Sequence, residues 1–246
     1  MNLFNQIKRS WAITKKDLRI YFLKGPTIIF GLLLPSFLFV AFSMGRDLSV
    51  EFLLPGLLGM TLFFTTSAVG PVITPWETRM RTLERLVSTP ISLWGIILGD
   101  IVASFLFGLA ISLVILVTGV VVVGFQIITG AIIAITLVGA FCFSALGVLL
   151  SAPPTDNPSN IMMLSTLIKF PLMFISGVFV PLSEMGSAVR ISYISPLTYY
   201  VDSVRWSVEG AGYFTPAVDI LILAGFSVVF VGVAILLHQK NLDKRF

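Results

Sequence analysis

Apolar residues in this chain come in long runs rather than in the strict alternation of a half-buried strand or the narrow stripe of a surface helix. Such runs cover residues 27–44, 52–73, 91–150, 160–180 and 217–237. A bilayer core about 30 Å thick needs about 20 apolar residues per helix. The run 91–150 carries a single charge, Asp100. It would make roughly 90 Å of helix at 1.5 Å per residue, too long for one crossing. It therefore reads as two spans joined by a turn around residues 119–130. Lipid offers no partner to an open backbone, so each span is predicted to be a helix. The pattern predicts an all-α integral membrane fold with six transmembrane helices, the chain 1–246 forming one transmembrane domain.

Three segments break this pattern. Residues 1–24 place Leu3, Phe4, Ile7, Trp11, Leu18, Tyr21 and Phe22 on one arc of a helical wheel. Lys8, Arg9, Lys15, Lys16 and Arg19 fill the adjoining arc. This is the pattern of a basic amphipathic helix lying in the headgroup region, ended by Gly25-Pro26. Residues 181–215 are too apolar for a solvated loop and too interrupted for a crossing. With Tyr193, Tyr199, Tyr200, Trp206 and Tyr213 they suggest outer re-entrant or interfacial helices.

The third segment, 75–89, reads PWETRMRTLERLVST and carries five charged side chains. Thr74 suits an N-cap, Pro75 the first helical position and Glu77 the third, a capping box. Pro90 should stop the helix. At 100° per residue Glu77, Arg81, Glu84 and Arg85 share one face, and Trp76, Met80, Leu83, Leu86 and Val87 the other. So short a helix must lean on something, either lipid or a partner protein.

Composition agrees with a membrane solvent. The chain is 57% hydrophobic and 11% charged, with a mean hydropathy of +1.00; a soluble domain is about a quarter charged. The excess of basic residues is better explained by the positive-inside rule than by nucleic acid. With six spans, twelve of the sixteen Lys and Arg residues fall on the side that holds both termini and the 75–89 segment. That side is predicted to be cytoplasmic, in a cell membrane. No cleavable signal peptide is evident. One cysteine, Cys142, and one histidine, His238, exclude a disulfide framework and a multi-histidine metal centre. No phosphate-binding loop and no nucleophile–histidine–carboxylate set occurs, so no catalytic site is expected within the chain.

Two charges lie inside spans. Asp100 and Lys169 each sit about nine residues in from the cytoplasmic side, roughly 13 Å deep. A charge at mid-bilayer costs about 2.5–3.5 kcal/mol on insertion scales. They either pair, face a common cavity, or Lys169 snorkels to the interface. Thr61, Phe63, Phe64, Thr65, Thr66, Phe170 and Phe174 are candidates to line a route. A lining rich in Phe and poor in charge would suit an apolar or amphipathic substrate.

Two blocks carry a family resemblance. The first is Glu77, Thr82-Leu83-Glu84, Leu86 and Thr89-Pro90. The second is Ser176-Gly177-Val178-Phe179, Pro181, Pro196-Leu197-Thr198-Tyr199, Asp202 and Arg205. In this order within six spans, the chain resembles ABC-2 type transporter permeases along essentially its whole length. The resemblance implies a half-transporter that dimerises with a second copy or a paralogue and binds two cytoplasmic ABC ATPase subunits. ATP and Mg would be bound and hydrolysed on those subunits, not on this chain. It implies that 75–89 is the coupling helix, with Glu77, Arg81, Leu83, Glu84 and Arg85 as its contacts. It also implies that 1–24 contacts the ATPase and that 181–215 closes the exit. The sequence departs from the family where Arg81 stands at a frequent Gly and Gly186 at a frequent Pro. The other readings are a self-contained secondary transporter or channel, and a membrane scaffold that transports nothing. The inverted repeats or multiple paired charges of the former are not evident.

Overall fold

The computed structural model describes residues 3–23, 50–123 and 130–245, with residues 31, 33, 36, 37, 40, 41 and 44 between them. Helix α1, Leu3–Asp17, runs into a π-helical turn, Leu18–Phe22. Most of the first predicted span, 27–44, lies outside the described residues, as do residues 124–129 of the turn predicted around 119–130; residues 119–123 of that turn instead continue a helix. The elements that follow are all helical: α2 Val50–Ala68, α3 Gly70–Arg79, α4 Thr82–Val87, α5 Leu93–Val123, α6 Gly130–Leu150, α7 Pro158–Phe174, α8 Val189–Ser192, α9 Pro196–Glu209 and α10 Pro216–Asn241. Short 3-10 turns occupy Leu182–Glu184, Gly186–Ala188 and Leu242–Arg245.

Four stretches among the described residues are long and apolar enough to cross a bilayer: Leu53–Arg79, Leu93–Val117, Gly130–Leu150 and Pro216–Arg245. They correspond to the second, third, fourth and sixth predicted spans. The fifth is α7. It has 17 residues rather than the expected reach of 160–180, with Pro171 in its last turn. At 1.5 Å per residue it is about 25 Å long. Asn157 caps its start, accepting from the Ser159 N–H at 3.0 Å. Past Phe174 the chain turns through Gly177, whose φ of +84° suits glycine.

The 75–89 segment is not one helix, and Thr74 is not its cap. The helix restarts at Gly70-Pro71 and runs on through Pro75 to Arg79. It breaks at Met80-Arg81, and α4 follows. The reason is burial. Glu77 and Leu83 would point about 120° apart on a straight helix, yet both are buried here. The break lets both turn inward.

The core joins α2, α6, α9 and α10 around Leu62, Phe63, Phe143 and Tyr200. Phe143 meets Phe63 edge-on at 5.1 Å and Tyr200 at 6.0 Å. Helix α9, 14 residues or about 21 Å long, is too short to cross a bilayer. Its Tyr200 hydroxyl lies 3.3 Å from that of Thr136 on α6, and its ring touches Phe143, more than halfway along that helix. So α9 enters the bundle rather than lying on it. Small residues allow the closest helix approaches. A side chain at Gly147 would sit 3.0 Å from the Ser67 backbone, and one at Gly99 would sit 2.9 Å from the Ser10 carbonyl.

Candidate coupling surface and the charges beneath it

Helix α1 packs along α5 through a stripe that the amphipathic reading missed. Gln6, Ser10, Ile13, Thr14 and Asp17 follow the spacing of one helical face. Gln6 accepts from the Ser92 N–H at 3.0 Å and from its hydroxyl at 3.1 Å, and donates to the Pro90 carbonyl at 3.2 Å. Arg9 donates to the same carbonyl. The Thr14 hydroxyl donates to Gly99 O at 3.0 Å. Phe4, Ile7 and Trp11 of the predicted apolar arc point outward and are exposed. The helix therefore has a polar face on protein, an exposed apolar face, and a basic edge. The small polar residues at Gln6, Ser10 and Thr14, each four apart, were the available signal.

Lys16 binds α1 to the end of α3. Its ammonium donates to Glu77 Oε1 and lies 3.0 Å from Asp17 Oδ1. Asp100 completes the cluster beside Asp17. One cation thus serves three carboxylates, all of them buried. Burial works against the Lys16 ammonium, but the fields of Asp100, Asp17 and Glu77 outweigh it and raise its pKa above the ordinary lysine value. Burial also raises the Asp17 carboxyl, against the pull of Lys16.

Of the three readings for Asp100 and Lys169, direct pairing is not formed. The Lys169 ammonium instead donates to the Ser67 carbonyl at 3.0 Å and lies 5.8 Å from the Phe64 ring centroid. The cause is local. Pro71 has no N–H, so the Ser67 carbonyl four residues earlier has no helical donor. Lys169 fills that vacancy from α7.

Of the five predicted coupling contacts, Arg81, Glu84 and Arg85 are exposed, whereas Glu77 and Leu83 turn inward. Leu83 sits among Thr74, Ile96, Ile97 and Leu242, anchoring α4 to the bundle. Arg81 has φ 53° and ψ 25°, the left-handed region. Glycine enters that region without steric penalty, so the Gly that the family resemblance leads one to expect here would be free of the strain that Arg81 carries. Gly186 also has a positive φ, 53°. Proline, locked near −65°, cannot adopt it, so the 3-10 turn here begins differently from one opened by Pro.

A cleft of about 480 Å³ lies beside α4, lined by Thr78, Arg79, Arg81, Glu84, Asp156 and Lys244, among others. The sequence reading had singled out neither Asp156 nor Arg245. Arg245 donates to the carbonyls of Ser151, Ala152 and Pro153 at 2.8, 3.0 and 3.0 Å, capping the end of α6. His238 is a packing residue, 3.1 Å from the Ser151 hydroxyl. These bonds gather α1, the break at Arg81, the α6–α7 connection and the C-terminal turn at one end of the bundle.

The second sequence block ties down α9. Asp202 accepts from the N–H groups of Tyr213 and Phe214 at 2.9 and 2.7 Å. Arg205 donates to Glu209 at 3.2 Å and reaches the Gly177 carbonyl at 3.5 Å. Thr198 donates to Ser192 O at 2.6 Å, Tyr199 to Tyr193 O at 3.0 Å and Ser176 to Met173 O at 2.6 Å. Pro196 opens α9, and Pro181 precedes the 3-10 turn at Leu182. These residues hold the connection on both sides of α9 in place.

The route candidates are mostly core. Thr61, Thr65, Thr66, Phe63 and Phe64 are buried. The Thr65 and Thr66 hydroxyls donate to carbonyls of their own helix, both at 2.7 Å. Phe170 meets Phe64 edge-on and Phe174 at a tilt, and Phe174 is exposed on α7.

Comparison with known proteins agrees with this architecture. The chain is 24% identical over 201 residues to the "Probable multidrug ABC transporter permease YbhS" of Escherichia coli strain K12, covering 80% of this chain and 53% of YbhS. It is 25% identical over 184 residues to the "Inner membrane transport permease YadH" of the same strain, covering 74% of this chain and 71% of YadH. The chain thus spans about half the length of YbhS. The family described as ABC-2 type transporter matches residues 2–208. With its several apolar spans and this match over most of its length, the chain belongs to the ABC-2 type transporter family.

Proposed function

We propose that the chain is the membrane-spanning subunit of an ATP-driven exporter. Two separate ABC ATPase subunits carry ATP and Mg²⁺, and a second permease copy or paralogue completes the transporter. The observation that carries this reading is the build of α4. Glu84 and Arg85 are displayed to solvent on a helix too short to stand alone, with Arg81 exposed at the break before it, and buried Leu83 holds that helix to the bundle. Such a helix transmits displacement as a rigid body. The Lys16–Glu77 pair makes α1 move with the end of α3. Asp156 and Lys244 across the cleft extend the ATPase-facing surface. The basic end of the bundle, with both termini, faces the cytoplasm under the positive-inside rule. Residues 181–215 then lie on the outer side, where α9 closes the exit as a re-entrant helix. YbhS is described as a multidrug permease and YadH as an inner membrane permease. These descriptions favour an apolar or amphipathic substrate here and a location in the inner membrane.

The test is co-purification of the chain with a Walker-motif ATPase. Glu84→Ala combined with Arg85→Ala should abolish the complex while the chain still elutes as a folded species. Flux driven by an ion gradient in proteoliposomes of the chain alone would overturn the proposal.

A further inference from the structure

A second pocket lies in the other half of the bundle, away from the charged end. It is a cavity of about 210 Å³ between α2, α5, α6 and α9. At about 30 Å³ for each water-sized unit it holds roughly seven such units. Its rim is Leu113, Ile133 and Leu137, which are 58%, 50% and 44% exposed; its floor is Ile132 and Tyr200, each 1% exposed. Both rim helices are apolar enough to cross a bilayer, so the mouth opens sideways toward lipid.

The lining is not wholly apolar. Ser112 is 2% exposed, and its hydroxyl has no hydrogen-bond partner among the described residues. The Thr136 and Tyr200 hydroxyls meet only at 3.3 Å, the long end of an O–H···O bond. Three hydroxyls with unused capacity therefore line a pocket whose other walls are leucine and isoleucine. A buried hydroxyl without a partner is unfavourable, and more so where water is absent. Thr136 is six residues into α6, about 9 Å below its start. With the start of α6 taken as the edge of the hydrocarbon core, the ester groups of ordinary membrane lipids lie above this depth.

We infer that this pocket binds a membrane-dissolved apolar molecule carrying a hydroxyl or carbonyl part-way along its chain, with Ser112, Thr136 and Tyr200 holding the oxygen. A flexible chain fits better than a protein surface, because the cavity is only about 210 Å³ and runs from an exposed rim to a floor closed by buried Tyr200. The inference is independent of ATPase coupling.

The test uses the full chain in nanodiscs and a diazirine-bearing fatty acid as photoprobe, with labelled peptides mapped by mass spectrometry. Labelling should concentrate on α5 and α6. Unlabelled 12-hydroxystearic acid should displace the probe at least fivefold better than stearic acid. Ser112→Ala should erase most of that difference, and Leu137→Trp should remove the labelling by blocking the mouth. Circular dichroism and gel filtration confirm that both variants fold. Labelling spread evenly over the lipid-facing helices, equal displacement by the two acids, or indifference to Leu137→Trp would overturn the inference.

Discussion

The ammonium of Lys169 on α7 donates to the backbone carbonyl of Ser67 on α2 across 3.0 Å. Pro71 leaves that carbonyl without its helical donor, so one residue's missing N–H is supplied by another helix. Lys169→Met should leave the carbonyl bare in a dry interior, at a cost of about 1–3 kcal/mol. Pro71→Ala restores an N–H at the right position. The double variant should therefore regain much of the thermal stability lost by Lys169→Met, measured by size-exclusion thermal shift in detergent. Additive losses would show that the bond is not the reason for the lysine.

The buried cluster of Lys16, Asp17, Glu77 and Asp100 has one positive charge for three carboxyls. Removing the cation by Lys16→Met should cost about 3–5 kcal/mol, as for other broken buried pairs. The loss should be smaller at pH 5 than at pH 8, because the stranded carboxylates can take up protons.

Asp17→Asn should behave oppositely. The folded-state pKa of Asp17 is raised above the ordinary 3.8. Its contribution to stability is therefore full below about pH 3.8 and is lost as pH rises through the folded value. An asparagine side chain does not titrate, so the substitution should raise the melting temperature more at pH 8 than at pH 5. Lys16 is also raised, above 10.5. Its contribution persists below that pH and fades only above it, leaving the pH 5–8 comparison to the carboxyls.

Arg81 adopts φ 53°, a region that costs a side chain roughly 1–2 kcal/mol. Arg81→Gly should hold or raise the melting temperature, and Arg81→Val should lower it. A stabilising valine would mean that the break does not sit in this conformation.

Leu83 and Glu84 are neighbours with opposite assignments. Leu83→Ala should destabilise the chain by about 2–5 kcal/mol. Glu84→Ala should change stability by less than about 0.5 kcal/mol while weakening ATPase association. Thermal shift combined with pull-down separates the two.

Much of the fold was legible in the chain itself. Long apolar runs can only be helices where lipid offers no hydrogen bonds. Thus the crossings at Leu53–Arg79, Leu93–Val117, Gly130–Leu150 and Pro216–Arg245 follow from hydropathy and length. The exposed charges of α4 and the signature around Asp202 were legible as well, because residue type and spacing carry them. Which charge meets which partner was not legible. Asp100 and Lys169 have matching depth, but depth does not specify the face of a helix. Only packing showed that α1 brings Lys16 to Asp100 and Glu77, and that a proline-made vacancy claims Lys169. The break at Arg81 was likewise decided by tertiary contact. Local capping rules favoured one helix from Thr74, but burying both Glu77 and Leu83 outweighed them, because side chains 120° apart on a straight helix cannot both face one core.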